Sequence, residues 1–257
     1  MSDTRFTSLD PVSLKNWRWA PFLQESIRAI SVLQLEEAQI PLTFLDKTAT
    51  FGSKSKSQQV QINTWACRST KLRYARAVCV EAGRAASVLN FLVNPFHKYD
   101  LPFFGADLVS LPAGHLVALD LQPVLKLDKL HTAKVWERII PLHKRWQCLM
   151  PWGGPIPKEA EPYFSPGFLW ARLPLGDEGD QLISNVLLPA YKEYFSLYLD
   201  LVQEADEVSL SRSSNLLEGQ KTYMRFRAEK DPARGMLTRF CGREWTESYI
   251  KNFLFDL

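Results

Sequence analysis

The stretch YDLPFFGADLVSLPAGHLVALDLQP, residues 99–123, contains two apolar segments with the composition of β-strands. Their sequences are FFGADLVSLP and HLVALDLQP, and only Ala113 and Gly114 lie between them. A parallel pair would need a crossover connection of about a dozen residues, so these two strands must run antiparallel. We therefore predict a β-hairpin here, and this hairpin sets the class of the fold.

Two segments before the hairpin, YARAVCVEAG and ASVLNFLVNP, have the same strand composition and similarly short connections marked by Gly, Pro and Asn. The four segments together predict an antiparallel meander in the middle of the chain. A further strand is predicted at GFLWARLPL. The stretch TFGSKSKSQQ, residues 50–59, is predicted to be a polar connecting loop, since it lacks the GxxxxGK[ST] spacing of a phosphate-binding loop.

Helical patterns flank the meander. Apolar residues recur at helical spacing between Trp19 and Ile30, and TAKVWERIIPLHKRWQCL also reads as a helix. The C-terminal third is mostly helical, and its longest helix should be kinked or divided at Pro189. Helices before and after one sheet predict an α/β/α three-layer sandwich, a central antiparallel sheet flanked by helices on both faces. We expect a single domain over residues 1–257.

The charge balance and the spacing of cysteines and histidines argue against nucleic-acid binding and against a metal site. The chain carries 31 Lys and Arg against 28 Asp and Glu, and these charges are scattered, so we expect no nucleic-acid partner. The four cysteines and four histidines show no metal-ligand spacing, so no metal site is expected. The histidines fall at turns or on polar helix faces, where exposed side chains are expected.

The cellular location is also constrained by the sequence. The first residues, MSDTRFTSLD, lack the apolar core of a signal sequence, and no apolar run approaches the roughly 20 residues of a membrane span. The separated cysteines are typical of reduced thiols. We therefore expect a cytoplasmic protein that does not enter a membrane.

Asp107 is a carboxylate inside a segment that otherwise has the pattern of a buried strand. Alternation places it on one face with Val109 and Leu111, and both faces are largely apolar. Burial would disfavour the charged form, so that Asp107 could donate a proton near neutral pH. The alternative is a structural carboxylate near Gly105 that binds local backbone amides, and spacing alone favours this alternative.

Asp231 is followed by Pro232, which is typical of a helix start with Asp231 at the N-cap. Arg227 would lie one turn earlier on the preceding helix, where its guanidinium could form a salt bridge or bind a ligand. Asn90 is a polar residue in an apolar strand and is expected to be a hydrogen-bonded core amide. No motif for an organic cofactor or an activated nucleophile accompanies these residues.

Several motifs, taken in order, resemble the ferredoxin-dependent bilin reductases, and the resemblance extends over nearly the whole chain. They are YDLPFFGADLV, GHLVALDLQP, SPGFLWARLPLG, RAEKDPARGML and the ending WTESYIKNFLFDL. The resemblance implies the sandwich predicted above, with the bilin between the sheet and the C-terminal helices. It also implies an enzyme with no bound cofactor, in which reduced ferredoxin supplies single electrons and acidic side chains protonate bilin radicals.

Within this family, GSKSKS, HLVALDLQP and FLWARLPLG are most similar to the members that reduce the A-ring diene of 15,16-dihydrobiliverdin to phycoerythrobilin. The resemblance then implies that Asp107 and Asp231 are catalytic proton donors, with Asp231 directed toward the A-ring. It further implies that Arg227 and Asn90 contact the substrate. Asp231 can still cap a helix with one carboxylate oxygen while the other faces the ligand.

Two positions depart from the relatives that form phycocyanobilin. Those relatives carry a catalytic histidine where this chain has Asn90, and a catalytic glutamate where it has Val78. The difference favours A-ring chemistry over protonation of the D-ring vinyl group. Two alternatives stay open: an enzyme that starts from biliverdin, in two or four electrons, and a non-catalytic bilin carrier. An upstream reductase that forms dihydrobiliverdin is an implied partner.

Overall fold

The computed structural model of the protein describes residues 17–53 and 55–256. The N-terminal stretch MSDTRFTSLD and Lys54 of the GSKSKS motif lie outside the described residues. None of the described helices is long and apolar enough to cross a lipid bilayer.

An eight-stranded antiparallel sheet forms the centre of the fold. Its strands are β1 (Glu36–Glu37), β2 (Asp46–Phe51), β3 (Gln58–Arg68), β4 (Leu72–Glu81), β5 (Ser87–Pro95), β6 (Phe103–Leu111), β7 (Gly114–Gln122) and β8 (Leu169–Leu173). The order across the sheet is β1-β3-β4-β5-β6-β7-β8, and β2 also pairs with β3. The predicted meander of β4 to β7 and the predicted strand β8 are both confirmed.

Three strands, β1 to β3, lie outside the predicted meander. In β3, Val60 and Ile62 are buried while Gln59 and Gln61 are exposed, which is the alternation of a strand covered on one face. Because its exposed positions carry glutamines, the segment lacks the dense apolar composition of its neighbours. The predicted polar loop is correspondingly shorter, because its two ends belong to β2 and β3.

Eight α-helices are present in the described residues. They are α1 (Ala20–Ile30), α2 (Leu42–Leu45), α3 (Lys129–Gln147), α4 (Asp177–Leu182), α5 (Leu188–Glu204), α6 (Leu210–Lys230), α7 (Arg234–Cys241) and α8 (Arg243–Tyr249). A 3-10 turn covers Glu161–Tyr163, and π-helical turns follow α4 at Ile183–Leu187 and α8 at Ile250–Leu254. The first π-helical turn divides the long helix immediately before Pro189, whose ring nitrogen cannot donate a hydrogen bond.

The helices form two layers, one on each face of the sheet. Helices α1, α3 and α5 pack on the first face around a core that includes Phe91, Phe104 and Phe195. Helices α2, α6, α7 and α8 pack on the second face around a core that includes Phe103 and Tyr223. The predicted α/β/α sandwich with an antiparallel central sheet is therefore confirmed.

Two histidines are buried, which corrects the expectation that all four are exposed. His115 Nδ1 forms a hydrogen bond with Ser110 Oγ, and its ring contacts the ring of Trp19 edge to face. His131 accepts a hydrogen bond from the backbone N–H of Val124 at Nε2, so its Nδ1–H donates to Asp100 at 2.6 Å. The sequence pattern misses this because both residues lie at the ends of elements, where a polar side chain can turn inward to a partner.

Asp100 joins α3, α6 and the start of β6 through a charged network. Its second oxygen accepts a hydrogen bond from Arg212 Nε at 2.7 Å, and Arg212 also pairs with Asp128, the N-cap residue of α3. Burial raises the pKa of Asp100, but the hydrogen bonds from His131 and Arg212 and the positive charge of Arg212 outweigh it and hold that pKa below its usual value. The network therefore contributes stability that depends on an ionised Asp100.

We predict that Asp100→Asn lowers the free energy of unfolding at neutral pH by about 2 kcal/mol, because two hydrogen bonds to a charged group are weakened. Since the folded-state pKa of Asp100 is lowered, this stability is present above the unfolded-state pKa and is lost as pH falls through the folded-state value. Urea unfolding should show the difference between wild type and variant shrinking in acid. The exposed Glu218→Gln change removes a surface ion pair with Lys221 and should cost far less. A difference that stays constant with pH would contradict this assignment.

Candidate functional site

The second face of the sheet has a patch that the helices leave half-exposed. At its centre Val78, Asn90, Asp107 and Ala118 lie side by side on β4, β5, β6 and β7, because strand register pairs each with the next. The half-exposed members of the patch are Asn90, Asp107, Val109, Leu116 and Ala118. The patch is an apolar floor with one carboxylate and one amide.

Half-buried aromatic side chains stand beside this floor. Tyr163 stacks on Phe226 of α6 with ring centroids 4.2 Å apart. Trp170, which pairs with Ala118 across the sheet, stacks on Phe168 at 6.0 Å. Flat aromatic rings around an apolar floor suit a flat, conjugated ligand.

Asp107 lies on the predicted face of β6, but the expected burial of its side chain is wrong. About 34% of the side chain is exposed, and its neighbours are polar. Asn90, directly opposite on β5, donates from Nδ2 to Asp107 Oδ1. On the other side, Arg227 Nη2 lies 3.7 Å from Asp107 Oδ2. The surrounding helices stop short of Asp107, so a bound molecule would replace solvent around it.

Helix α6 carries Arg227 to this position through contacts one turn earlier. Tyr223 stacks on Phe103 with centroids 4.6 Å apart, and its hydroxyl donates to Gln122 Oε1. That amide oxygen lies directly over Gly105, where an added Cβ would be 2.7 Å away. A Cβ at this position, two residues before Asp107, would displace the Gln122 side chain, so glycine leaves room for the hydrogen bond between Tyr223 and Gln122.

Asp231 lies at the C-terminal end of α6, at the junction with α7. Its Oδ1 accepts a hydrogen bond from the backbone N–H of Ala233 at 2.8 Å, while the first residue of α7 is Arg234. The prediction that Asp231 is the N-cap of this helix is therefore wrong: Ala233 is the N-cap, and Asp231 ends α6 while its side chain closes the turn that precedes α7. Burial raises the pKa of Asp231, and the positive charge of Arg227 partly offsets this effect.

The structure brings all four predicted site residues to one place. Asp107 and Asn90 come from the sheet, and Arg227 and Asp231 come from the last turn and end of α6. Burial lowers the pKa of Arg227, but the neighbouring Tyr223, Asp107 and Asp231 outweigh this effect and hold that pKa above its usual value, so Arg227 stays charged. The arrangement thus places one carboxyl group on the sheet and one at the end of α6, and the Arg227 cation is a neighbour of both.

Two further residues of the site were not predicted. Arg76 is buried on β4 and donates from Nη1 to Asn90 Oδ1. Asp120 is buried on β7, opposite Gly105, and accepts a hydrogen bond from the backbone N–H of Ser165 at 2.8 Å. Both are charged residues in apolar strand segments, the same signal that identified Asp107.

Asp120 anchors the loop that carries the aromatic side chains. Ser165 donates to it from both its backbone N–H and its hydroxyl, and Tyr163 and Phe168 lie on either side of Ser165 in the chain. Burial raises the pKa of Asp120 to about 7, against the opposing effect of these hydrogen bonds. No group of three or more His, Cys, Asp or Glu residues suited to a metal ion occurs in the described part of the chain.

A family model described as "Ferredoxin-dependent bilin reductase" matches residues 24–256, which include the whole site. The chain belongs to this family. It is therefore a ferredoxin-dependent bilin oxidoreductase, with ferredoxin as its electron donor and a bilin as its substrate.

Two curated relatives of this bilin reductase are similar over their full length. Phycoerythrobilin:ferredoxin oxidoreductase from Synechococcus sp. (strain RCC307) is 62% identical over 257 residues, which cover 100% of this chain and 98% of the relative. The protein of the same name from Prochlorococcus marinus (strain MIT 9211) is 58% identical, with 100% of both chains covered.

The fold is similar to that of a solved bilin-binding protein. The crystal structure of phytochromobilin synthase from tomato in complex with biliverdin superposes with a TM-score of 0.82 and 24% sequence identity. The match covers 92% of this chain and 82% of the tomato chain. At this identity the comparison supports the three-layer fold of the bilin reductase.

We predict that Asp231→Asn makes the bilin reductase more stable at alkaline pH. Because burial raises the folded-state pKa of Asp231, the ionised form costs stability as pH rises above the unfolded-state value. Asparagine stays neutral and keeps the oxygen that accepts from Ala233, so the gain should grow with pH and disappear in acid. Chemical unfolding across the pH range measures this, with the exposed Asp206→Asn exchange as a control. Parallel pH profiles for wild type and Asp231→Asn would show that burial of Asp231 has no energetic effect.

Proposed function

We propose that this enzyme reduces the A-ring diene of 15,16-dihydrobiliverdin to phycoerythrobilin, using two electrons from ferredoxin and two protons from Asp107 and Asp231. The observation that carries the proposal is that these two carboxyl groups, one from the sheet and one from the end of α6, both neighbour Arg227 beside one aromatic-lined patch. The name that the relatives at 62% and 58% identity share, phycoerythrobilin:ferredoxin oxidoreductase, supports phycoerythrobilin as the product.

The two carboxyl groups have complementary environments for this reaction. Each electron from ferredoxin places negative charge on the bilin, and each proton that follows breaks an O–H bond of an aspartic acid and forms a new bond to the bilin. Asp231 suits a donor near neutral pH because burial raises its pKa. Asp107 becomes a carboxylate after donation, and the adjacent Arg227 stabilises that charge.

Asn90 and Arg227 are proposed to contact the substrate. The amide nitrogen of Asn90 carries two hydrogens, and one of them forms the hydrogen bond to Asp107. The second can be donated to a pyrrole or lactam group of the bilin. Arg227 has a buried Nε without a hydrogen-bond partner among the described residues. A lactam oxygen or carboxylate of a bilin would supply the acceptor that this donor lacks.

Val78 and Asn90 support reaction at the A-ring rather than the D-ring. They lie next to each other and beside Asp107 in the same cross-strand row. Neither valine nor asparagine can donate a proton to a vinyl group at neutral pH. An upstream reductase that saturates the 15,16 bond of biliverdin would supply the substrate, and we propose such an enzyme as a partner.

The experiment that tests the proposal is an anaerobic assay with reduced ferredoxin and two separate substrates, biliverdin and 15,16-dihydrobiliverdin. Products are identified by chromatography and absorbance. We expect phycoerythrobilin from dihydrobiliverdin and no consumption of biliverdin. Consumption of biliverdin would identify a biliverdin-reducing relative instead, and binding of either bilin without reaction would identify a carrier.

We predict that Asp107→Asn retains bilin binding but lowers turnover by roughly 100-fold or more, the usual contribution of a general acid. Asparagine can still accept the hydrogen bond from Asn90, so the local structure is preserved while the transferable proton is lost. Bilin absorbance measures binding, and product formation measures turnover. Asp206→Asn, an exposed exchange of the same kind, should retain full activity. Full turnover by Asp107→Asn would remove Asp107 from the mechanism.

A further inference from the structure

Arg76 is a buried guanidinium without an ion-pair partner in the described residues. Only 1% of the residue is exposed. Its Nη2 donates to the backbone oxygen of Leu254 at 3.3 Å, its Cζ lies 5.9 Å from the ring centroid of Phe255, and its Nε has no partner. A buried, incompletely paired charge costs free energy, so a fold that retains it must gain something from its position.

The remaining contact of Arg76 is with the site. Its Nη1 donates to Asn90 Oδ1, and Asn90 Nδ2 donates to Asp107 Oδ1. A guanidinium has donors only, whereas the asparagine amide has one acceptor end and one donor end. Arg76 therefore fixes the amide of Asn90 with its oxygen toward β4 and its nitrogen toward Asp107.

This orientation distinguishes the two oxygens of Asp107. Oδ1 is occupied as the acceptor of the hydrogen bond from Asn90, while Oδ2 lies on the side of Arg227. When Asp107 is protonated, the proton is accordingly held on Oδ2. A reversed Asn90 amide would instead accept a hydrogen bond from the protonated carboxyl group and retain the proton within the sheet.

We infer that Arg76 is a positioning residue that, through Asn90, keeps the transferable proton of Asp107 on Oδ2, facing the bilin. The inference rests on the proposed function and adds a residue to it. In the step concerned, ferredoxin gives one electron to the bilin, the Oδ2–H bond of Asp107 breaks, the proton bonds to the reduced bilin, and Asp107 is left as a carboxylate. Arg76 touches neither the transferred proton nor its donor oxygen.

The test is a double-mutant cycle between Arg76 and Asn90. Arg76→Met removes every donor but keeps a long side chain, and exchanging a buried charge for an apolar group is compatible with folding. We expect it to lower turnover by roughly 10- to 100-fold through misorientation, with little change in bilin affinity. In the Asn90→Leu background, where no amide remains to be oriented, Arg76→Met should have no further effect.

A second readout separates positioning from a structural role. Slower protonation should lengthen the lifetime of the bilin radical after the first electron, which electron paramagnetic resonance detects in a single turnover. Arg76→Lys keeps one charged donor and should restore part of the rate. Arg73→Met is the matched control, because Arg73 donates to the backbone oxygen of Asp256 in the same C-terminal segment at 2.6 Å without touching Asn90.

Additive effects of Arg76→Met and Asn90→Leu, or an equal loss of turnover in Arg73→Met, would show that Arg76 only holds the C-terminal segment and would overturn the inference. The cycle is measured with whichever bilin the wild type reduces. If the wild type reduces biliverdin, the proposed substrate is refuted. The cycle, measured with biliverdin, would still show whether Arg76 and Asn90 are coupled.

Discussion

The pairing of β5 with β6 in a single register is the constraint on which the site depends. Asn90 lies opposite Asp107 only in that register, and a slip of one residue would turn Asp107 into the core of the first face. The register is enforced from both sides, because alternate residues of β6 belong to two separate cores. The packing that makes the sheet stable therefore also fixes which side chains meet the ligand.

The two site residues at the end of α6, Arg227 and Asp231, are positioned by the packing of that helix on the sheet. Tyr223 stacks on Phe103 and holds α6 against the sheet, and Gly105 leaves room for the Gln122 side chain to which Tyr223 donates. From there the helical repeat carries Arg227 above Asp107, and the chain ends the helix at Asp231. At this point the Tyr223 ring and the Gln122 amide fill the space between sheet and helix.

The sequence predicts the meander and the three layers because period-two alternation and short connections depend on neighbours along the chain. It also predicts the four site residues, through the resemblance of whole motifs. It does not predict the half-exposure of Asp107, since a gap in the helical layer depends on how distant helices dock. The sequence also does not predict the role of Arg76. That role depends on a hydrogen bond to Asn90, which is 14 residues away in the chain but lies on the neighbouring strand of the sheet.

The row formed by Val78, Asn90 and Asp107 has a consequence for how such enzymes diversify. Its members come from three adjacent strands whose backbones are held by ladder hydrogen bonds and by two cores. Side chains in this row can therefore change without altering the path of the backbone. An exchange of one or two of them would alter the chemistry that a bound bilin meets while the scaffold stays the same.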